Sequence, residues 1–128
     1  MEKILTVEIA EGLGNQLFMY SHAYSLSKKF DYKIQIDNTS GYYKKKNRLR
    51  DHQNYMLHYF NIDQNLALST YRYDNIFKRN KKKLQKFIDK FSSKKKFLIE
   101  KKIKINGIKS AKSFTDLDYR KLSNSIYV

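Results

Sequence analysis

The sequence predicts an α/β fold built on a parallel sheet, and three observations carry that prediction. Residues 3–9 form an apolar, strand-like run containing Ile4, Leu5, Val7 and Ile9. A turn with Gly12 and Gly14 follows, and then a stretch whose apolar residues recur at helical spacing. Residues 33–37, Lys-Ile-Gln-Ile-Asp, alternate as a second strand. Strand, glycine turn, helix and strand make a βαβ unit, which implies an α/β fold with a parallel sheet.

The elements follow in order. The first strand ends near Ile9. The helix is expected over about residues 16–30, because Met19, Ala23, Leu26 and Phe30 share a face that Leu17, Tyr20 and Tyr24 widen. Asn15 is placed to cap it with a side-chain oxygen. Lys28 and Lys29 suit the negative end of its dipole. Residues 38–51 hold Gly41, two tyrosines and five basic residues and read as a long exposed loop. Tyr55, Leu57, Tyr59, Phe60 and Ile62 form a short apolar segment of open type. A basic helical segment is expected within about residues 72–96. Its helix covers about residues 72–91, with Tyr73, Phe77, Leu84, Ile88 and Phe91 on one face and Lys on the others. Residues 97–99 and 103–105 suit short strands, and Ser125-Ile126-Tyr127-Val128 reads as the start of a strand without a closing element.

A chain of 128 residues fits one domain, or one half of a larger protein. Eleven Tyr and eight Phe argue against a solvating, disordered chain. The absence of cysteine excludes disulfides and thiolate metal sites. No apolar run approaches the roughly 20 residues of a membrane helix. Glu8 interrupts the opening apolar stretch, so it does not read as a signal peptide. A cytoplasmic location is expected.

The glycine turn makes the sharpest chemical proposal. Gly12 and Gly14 let backbone approach a ligand, and the amides at a helix start are natural anion donors. The dinucleotide fingerprint would need a third glycine, where this chain has Leu17, and no Gly-Lys-Ser/Thr follows to make a P-loop. Asp37, at the end of the second strand, stands where a ribose-binding acid would sit, and a turn-capping role is the competing reading.

Residues 12–18, Gly-Leu-Gly-Asn-Gln-Leu-Phe, followed by Tyr20, Ala23 and Leu26, resemble the N-terminal motif of the alpha-1,2-fucosyltransferases, glycosyltransferase family 11. The second strand ending in Asp37, the extended loop, and the aromatic segment ending in Phe60-Asn61-Ile62 continue the likeness through residues 3–62. Departures are Glu11 at a usual glycine, Met19 at a usual glutamine and Ser21 at a usual alanine. The family's His-x-Arg-Arg-Gly-Asp-Tyr motif and its Gly-Tyr-Trp-Gln segment are absent, and the chain has no Trp.

The resemblance implies the Rossmann-like N-terminal domain of a GT-B-type glycosyltransferase, incomplete because residues 1–128 lack the C-terminal domain that grips GDP-fucose. It implies metal-independent, inverting transfer of fucose from GDP-fucose to the 2-hydroxyl of a galactose-containing glycan. Gly12, Gly14, Asn15 and Gln16 are then the nucleotide-sugar-binding residues, with Gln16 alternatively holding the turn. No catalytic residue is assigned to this chain, and a truncated, inactive fragment is expected.

The remaining candidates are weaker. His22, His52 and His58 show no metal-binding spacing. Asn38-Thr39-Ser40 matches a glycosylation sequon without a secretory signal. Residues 78–112 carry 15 basic residues against Asp89 and Glu100, so this segment supplies +13 of the net +15. Three readings fit it, in this order: a solvated Lys-rich surface, peripheral contact with an anionic membrane, and a nucleic-acid track. The last is disfavoured because arginine is scarce and no nucleic-acid motif occurs.

Overall fold

A computed structural model describes residues 2–42, 54–62, 65–68, 71–97, 102–105, 108–111 and 122–128. The chain forms an α/β fold. Strand β1 (Ile4–Glu8) leads through helix α1 (Leu13–Phe30) to strand β2 (Lys33–Asp37). Helix α2 (Ile76–Ile88) precedes strand β3 (Lys95–Phe97). Strands β4 (Lys102–Ile105) and β5 (Ile108–Ala111) pair antiparallel as a separate two-stranded sheet, and strand β6 (Leu122–Tyr127) follows. The main sheet is all-parallel in the order β2-β1-β6-β3, a Rossmann-like arrangement. The expected apolar strand near the C-terminus thus lies inside the sheet, beside β1.

Register divides the sheet into two unlike faces. Leu5 pairs with Ile34 and Ile126, and Val7 with Ile36. Side chains alternate along a strand, so these residues share one apolar face. With Ile9 and Leu57, and with half-buried Ile34 at the margin, they form the core onto which α1 lays Ala23 and Leu26. Leu17, Met19, Tyr20 and Phe30 pack against it part-buried, as the helical spacing predicts. Tyr24 instead stands exposed and stacks on Tyr20. The other face carries Thr6, Glu8, Gln35, Asp37 and Tyr127.

Several boundaries differ from the sequence-based expectation. Helix α1 starts at Leu13 because extended Gly12 (φ −78°, ψ 171°) is its N-cap, and Gly12 C=O accepts the Gln16 amide at 3.0 Å. Asn15 is therefore the third residue of the first turn rather than the cap, and no side chain caps the helix. At the other end Asp31 takes the left-handed conformation (φ 56°) and donates its amide to Ser27. Helix α2 is shorter than expected: Tyr73 precedes it, Asn75 caps it through the Lys78 amide, and Lys95–Phe97 is strand. Residues 40–42 and 57–59 form single 3₁₀ turns. Residues 43–53, most of the expected loop, and residues 98–99 lie outside the described residues.

Candidate functional site

The chain leaves β1 toward α1 on the apolar face. Beyond β2, residues 54–62 return to α1, with Leu57 in the apolar core and the Met56 amide on Gln16, whereas α2 lies on the polar face. In open α/β sheets ligands favour the carboxyl ends of the parallel strands. Here the turn after β1 and the turn after β2 lie side by side at those ends. The two touch at Gly41, where an added Cβ would meet Ile9 O at 2.3 Å and Ala10 Cβ at 2.7 Å. Glycine is required there by packing.

The turn after β1 is different. Its left-handed residue is Glu11 (φ 64°), not a glycine. A Cβ added at Gly12 or Gly14 meets nothing within 4 Å. Neither glycine is needed for space, and Gly12 has a φ any residue adopts. The amides of Leu13, Gly14 and Asn15 precede the first i→i−4 bond of α1, so they lie at the positive end of its dipole. Asn15 is exposed beside them.

Gln16 is fully buried. Its Nε2 donates to Glu11 O at 2.9 Å and Asn54 O at 2.7 Å, and its Oε1 accepts the Met56 amide at 2.8 Å. These bonds tie the turn to residues 54–56, so Gln16 holds the turn from behind. Of the four predicted residues, half-buried Gly12 and exposed Gly14 and Asn15 stand together at the start of α1.

Asp37, the last residue of β2, is fully buried. Its Oδ1 accepts the Thr39 amide, the Thr39 hydroxyl and the Ser40 amide, each at 3.0 Å. Its Oδ2 accepts the hydroxyls of Ser40 and Tyr127, both at 2.5 Å. Burial alone would raise this carboxyl. The Ser40 and Tyr127 hydroxyls, with the Ser40 and Thr39 amides, outweigh burial and hold it below the ordinary carboxylate value. Asp37 is a turn-capping, network-forming carboxylate, with both oxygens engaged by the protein.

Sequence reasoning met Thr39 and Ser40 only within a sequon and Tyr127 only within a strand, and joined none of them to Asp37. The Tyr127 hydroxyl lies 2.9 Å from Glu8 Oε2 as well as 2.5 Å from Asp37, so a single proton serves two carboxylates. Burial first, then the Glu8 and Asp37 charges, push the phenol far up, and it stays neutral. Lys82, reaching in from α2, pairs with Glu8 and lies 4.3 Å from the Tyr127 ring centroid and 5.0 Å from that of Tyr73. The distinguishing signal in the sequence was faint: a lone acid ending one strand and a tyrosine ending another.

A cavity of about 210 Å³ lies between α2 and the polar face, with Thr6, Tyr71, Tyr73, Gln85, Lys96 and Ser125 among its walls. It does not touch residues 12–16. Among the described residues no group of His, Asp and Glu could hold a metal. His22 is partly exposed on α1, His58 sits beside Tyr59, and His52 lies outside the described residues. No helix among the described residues is long and apolar enough to cross a membrane.

Comparison with known proteins adds no relative: no family model, curated protein or solved structure matches this chain.

Proposed function

We propose that the turn at residues 11–15 is the N-terminal side of a nucleotide-sugar clamp in a fucosyltransferase of the alpha-1,2 type. One observation supports this above the others. Gly12 and Gly14 occupy positions where a side chain would meet open space, so neither is explained by packing. A ligand approaching the backbone explains both. The resemblance of residues 12–18 to the fucosyltransferase motif points to the same place, and the carboxyl ends of parallel strands are where such sheets receive ligands.

In this reading the amides of Leu13, Gly14 and Asn15 donate to the donor's diphosphate, and Asn15 adds a side-chain hydrogen bond. Cleaving the sugar–phosphate bond builds negative charge on the diphosphate, and fixed donors oriented toward it lower the barrier. The donor is GDP-fucose, and the acceptor is the 2-hydroxyl of a galactoside. Asp37 is not a ribose ligand here, because its oxygens are occupied. This chain carries no His-x-Arg-Arg-Gly-Asp-Tyr motif to supply cations, so weak binding and no turnover are expected of it alone.

Amide NMR of the full chain, titrated with GDP-fucose to millimolar concentration, tests the reading. Shifts should concentrate at residues 12–15 and vanish in Gly14→Ala without loss of folding. Shifts of equal size with NAD, or none at those residues, would refute it.

A further inference from the structure

Helix α2 is mounted with its apolar side outward. Ile76, Phe77, Leu84, Phe87 and Ile88 fall within an arc of about 120° on the helix, by its 3.6-residue period. Phe91 extends this stripe just past the helix end, its ring edge-on to Phe87 at 5.6 Å. These six side chains are 46–84% exposed, and α2 has no buried residue. The inward side is polar: Lys82 reaches Glu8, Lys86 lies over Phe97, and Arg79 donates to Ser40 O. Among the described residues the stripe is thus an outer surface.

Charge selects its occupant. Helix α2 has six basic residues and no acid. On the wheel Lys83 borders the stripe beside Ile76 and Lys81 borders it beside Ile88; both are exposed. Exposed Lys90 lies near its C-terminal end, 5.7 Å from the Phe87 ring. A second copy meeting this face would bring two lysine rows together in a chain of net charge +15. A nucleic-acid backbone would use the lysines and leave the phenylalanines in water. An anionic bilayer uses both: rings enter the acyl boundary while flanking ammonium groups reach lipid phosphates. We infer that the outward face of α2, from Ile76 to Phe91, lies in the surface of an anionic lipid bilayer. The surface is on α2 and stands independently of the glycine turn, so either reading can fail alone.

Vesicle flotation of the full chain tests it, using phosphatidylcholine with and without phosphatidylserine. Partition should be at least about tenfold stronger with phosphatidylserine and should weaken as salt rises. Phe77→Ser combined with Phe91→Ser should lower it roughly tenfold, since apolar burial supplies part of the binding. Both rings are exposed, so the melting temperature should hold. As a fold-independent check, Phe77→Trp gives the chain its only Trp, whose emission should move to the blue on anionic vesicles. Four outcomes would overturn the inference. Partition could be absent, equal on neutral lipid, or unchanged by the paired serine substitution. The serine pair could also abolish self-association or nucleic-acid binding in a chain that ignores vesicles.

Discussion

Helices α1 and α2 flank the same sheet, and they are held to it by opposite chemistry. Helix α1 buries Ala23 and Leu26 against Leu5, Val7, Ile36 and Ile126, and its contact is apolar burial. Helix α2 buries no residue and docks through cations. Lys82 and Lys86 lie over the rings of Tyr73, Tyr127 and Phe97, which pack on one another beneath them. Desolvation lowers the Lys86 ammonium, and the neighbouring Lys82 charge adds to this. The difference teaches that an amphipathic stripe does not by itself say which way a helix faces. The sheet face it meets decides, and here that face bears Glu8 and Asp37.

The largest effect should separate the two sides. Leu5→Ala removes a fully buried side chain and should cost about 3 kcal/mol, measured by urea unfolding. Phe77→Ala, a larger truncation by volume, should stay within about 0.5 kcal/mol because the ring is solvated. Equal costs would mean that the α2 stripe is packed after all.

Next comes the polar side. Asp37→Ala strands the Ser40 hydroxyl and the Thr39 and Ser40 amides, while Tyr127 keeps Glu8 as its acceptor, and should cost about 2–3 kcal/mol. The Asp37 carboxyl is lowered on folding. Its contribution is therefore complete above about pH 5 and is lost as pH falls through the folded value. Stability measured from about pH 6 toward about pH 3 should drop less steeply in Asp37→Asn. An identical acid limb in the two proteins would show that the network does not hold the carboxyl down.

Smaller still is Lys82→Met. Its ion pair with Glu8 is only partly buried, so the loss should be about 1 kcal/mol and should shrink at high salt. Salt-independent loss would mean that α2 docks through the lysine stem rather than its charge. The smallest effects are gains. Gly14→Ala in the first turn of α1 should stabilise by about 0.5–1 kcal/mol. Glu11→Gly should add a similar amount by relieving a left-handed non-glycine residue. A destabilised Gly14→Ala would show that packing, rather than a ligand, accounts for that glycine.

Much of the α1 side was legible before any coordinates. Its signals are local: alternation in residues 33–37, helical spacing through Ala23 and Leu26, and glycines between strand and helix. Two local details misled. Asn15 is a good cap by type, but extended Gly12 started the helix earlier. The left-handed position fell on Glu11, where no sequence rule would place it. The antiparallel β4–β5 pair went unpredicted as a pair, although the Asn106-Gly107 dipeptide between its strands is the usual short-range hairpin signal.

The candidate site was legible only in part, because its partners are distant along the chain. Tyr127 lies 119 residues from Glu8 and 90 from Asp37, and Lys82 lies 74 from Glu8. By itself the sequence determined the βαβ unit, the exposed glycine turn and the amphipathic character of residues 76–91, since each follows from neighbours within a few turns of chain. Only the tertiary structure decided that β6 enters the sheet beside β1, that one tyrosine proton serves two carboxylates, and that α2 shows its apolar side to the outside. The physical reason is that these depend on strand order, and strand order is fixed by which faces can be buried together rather than by any local spacing.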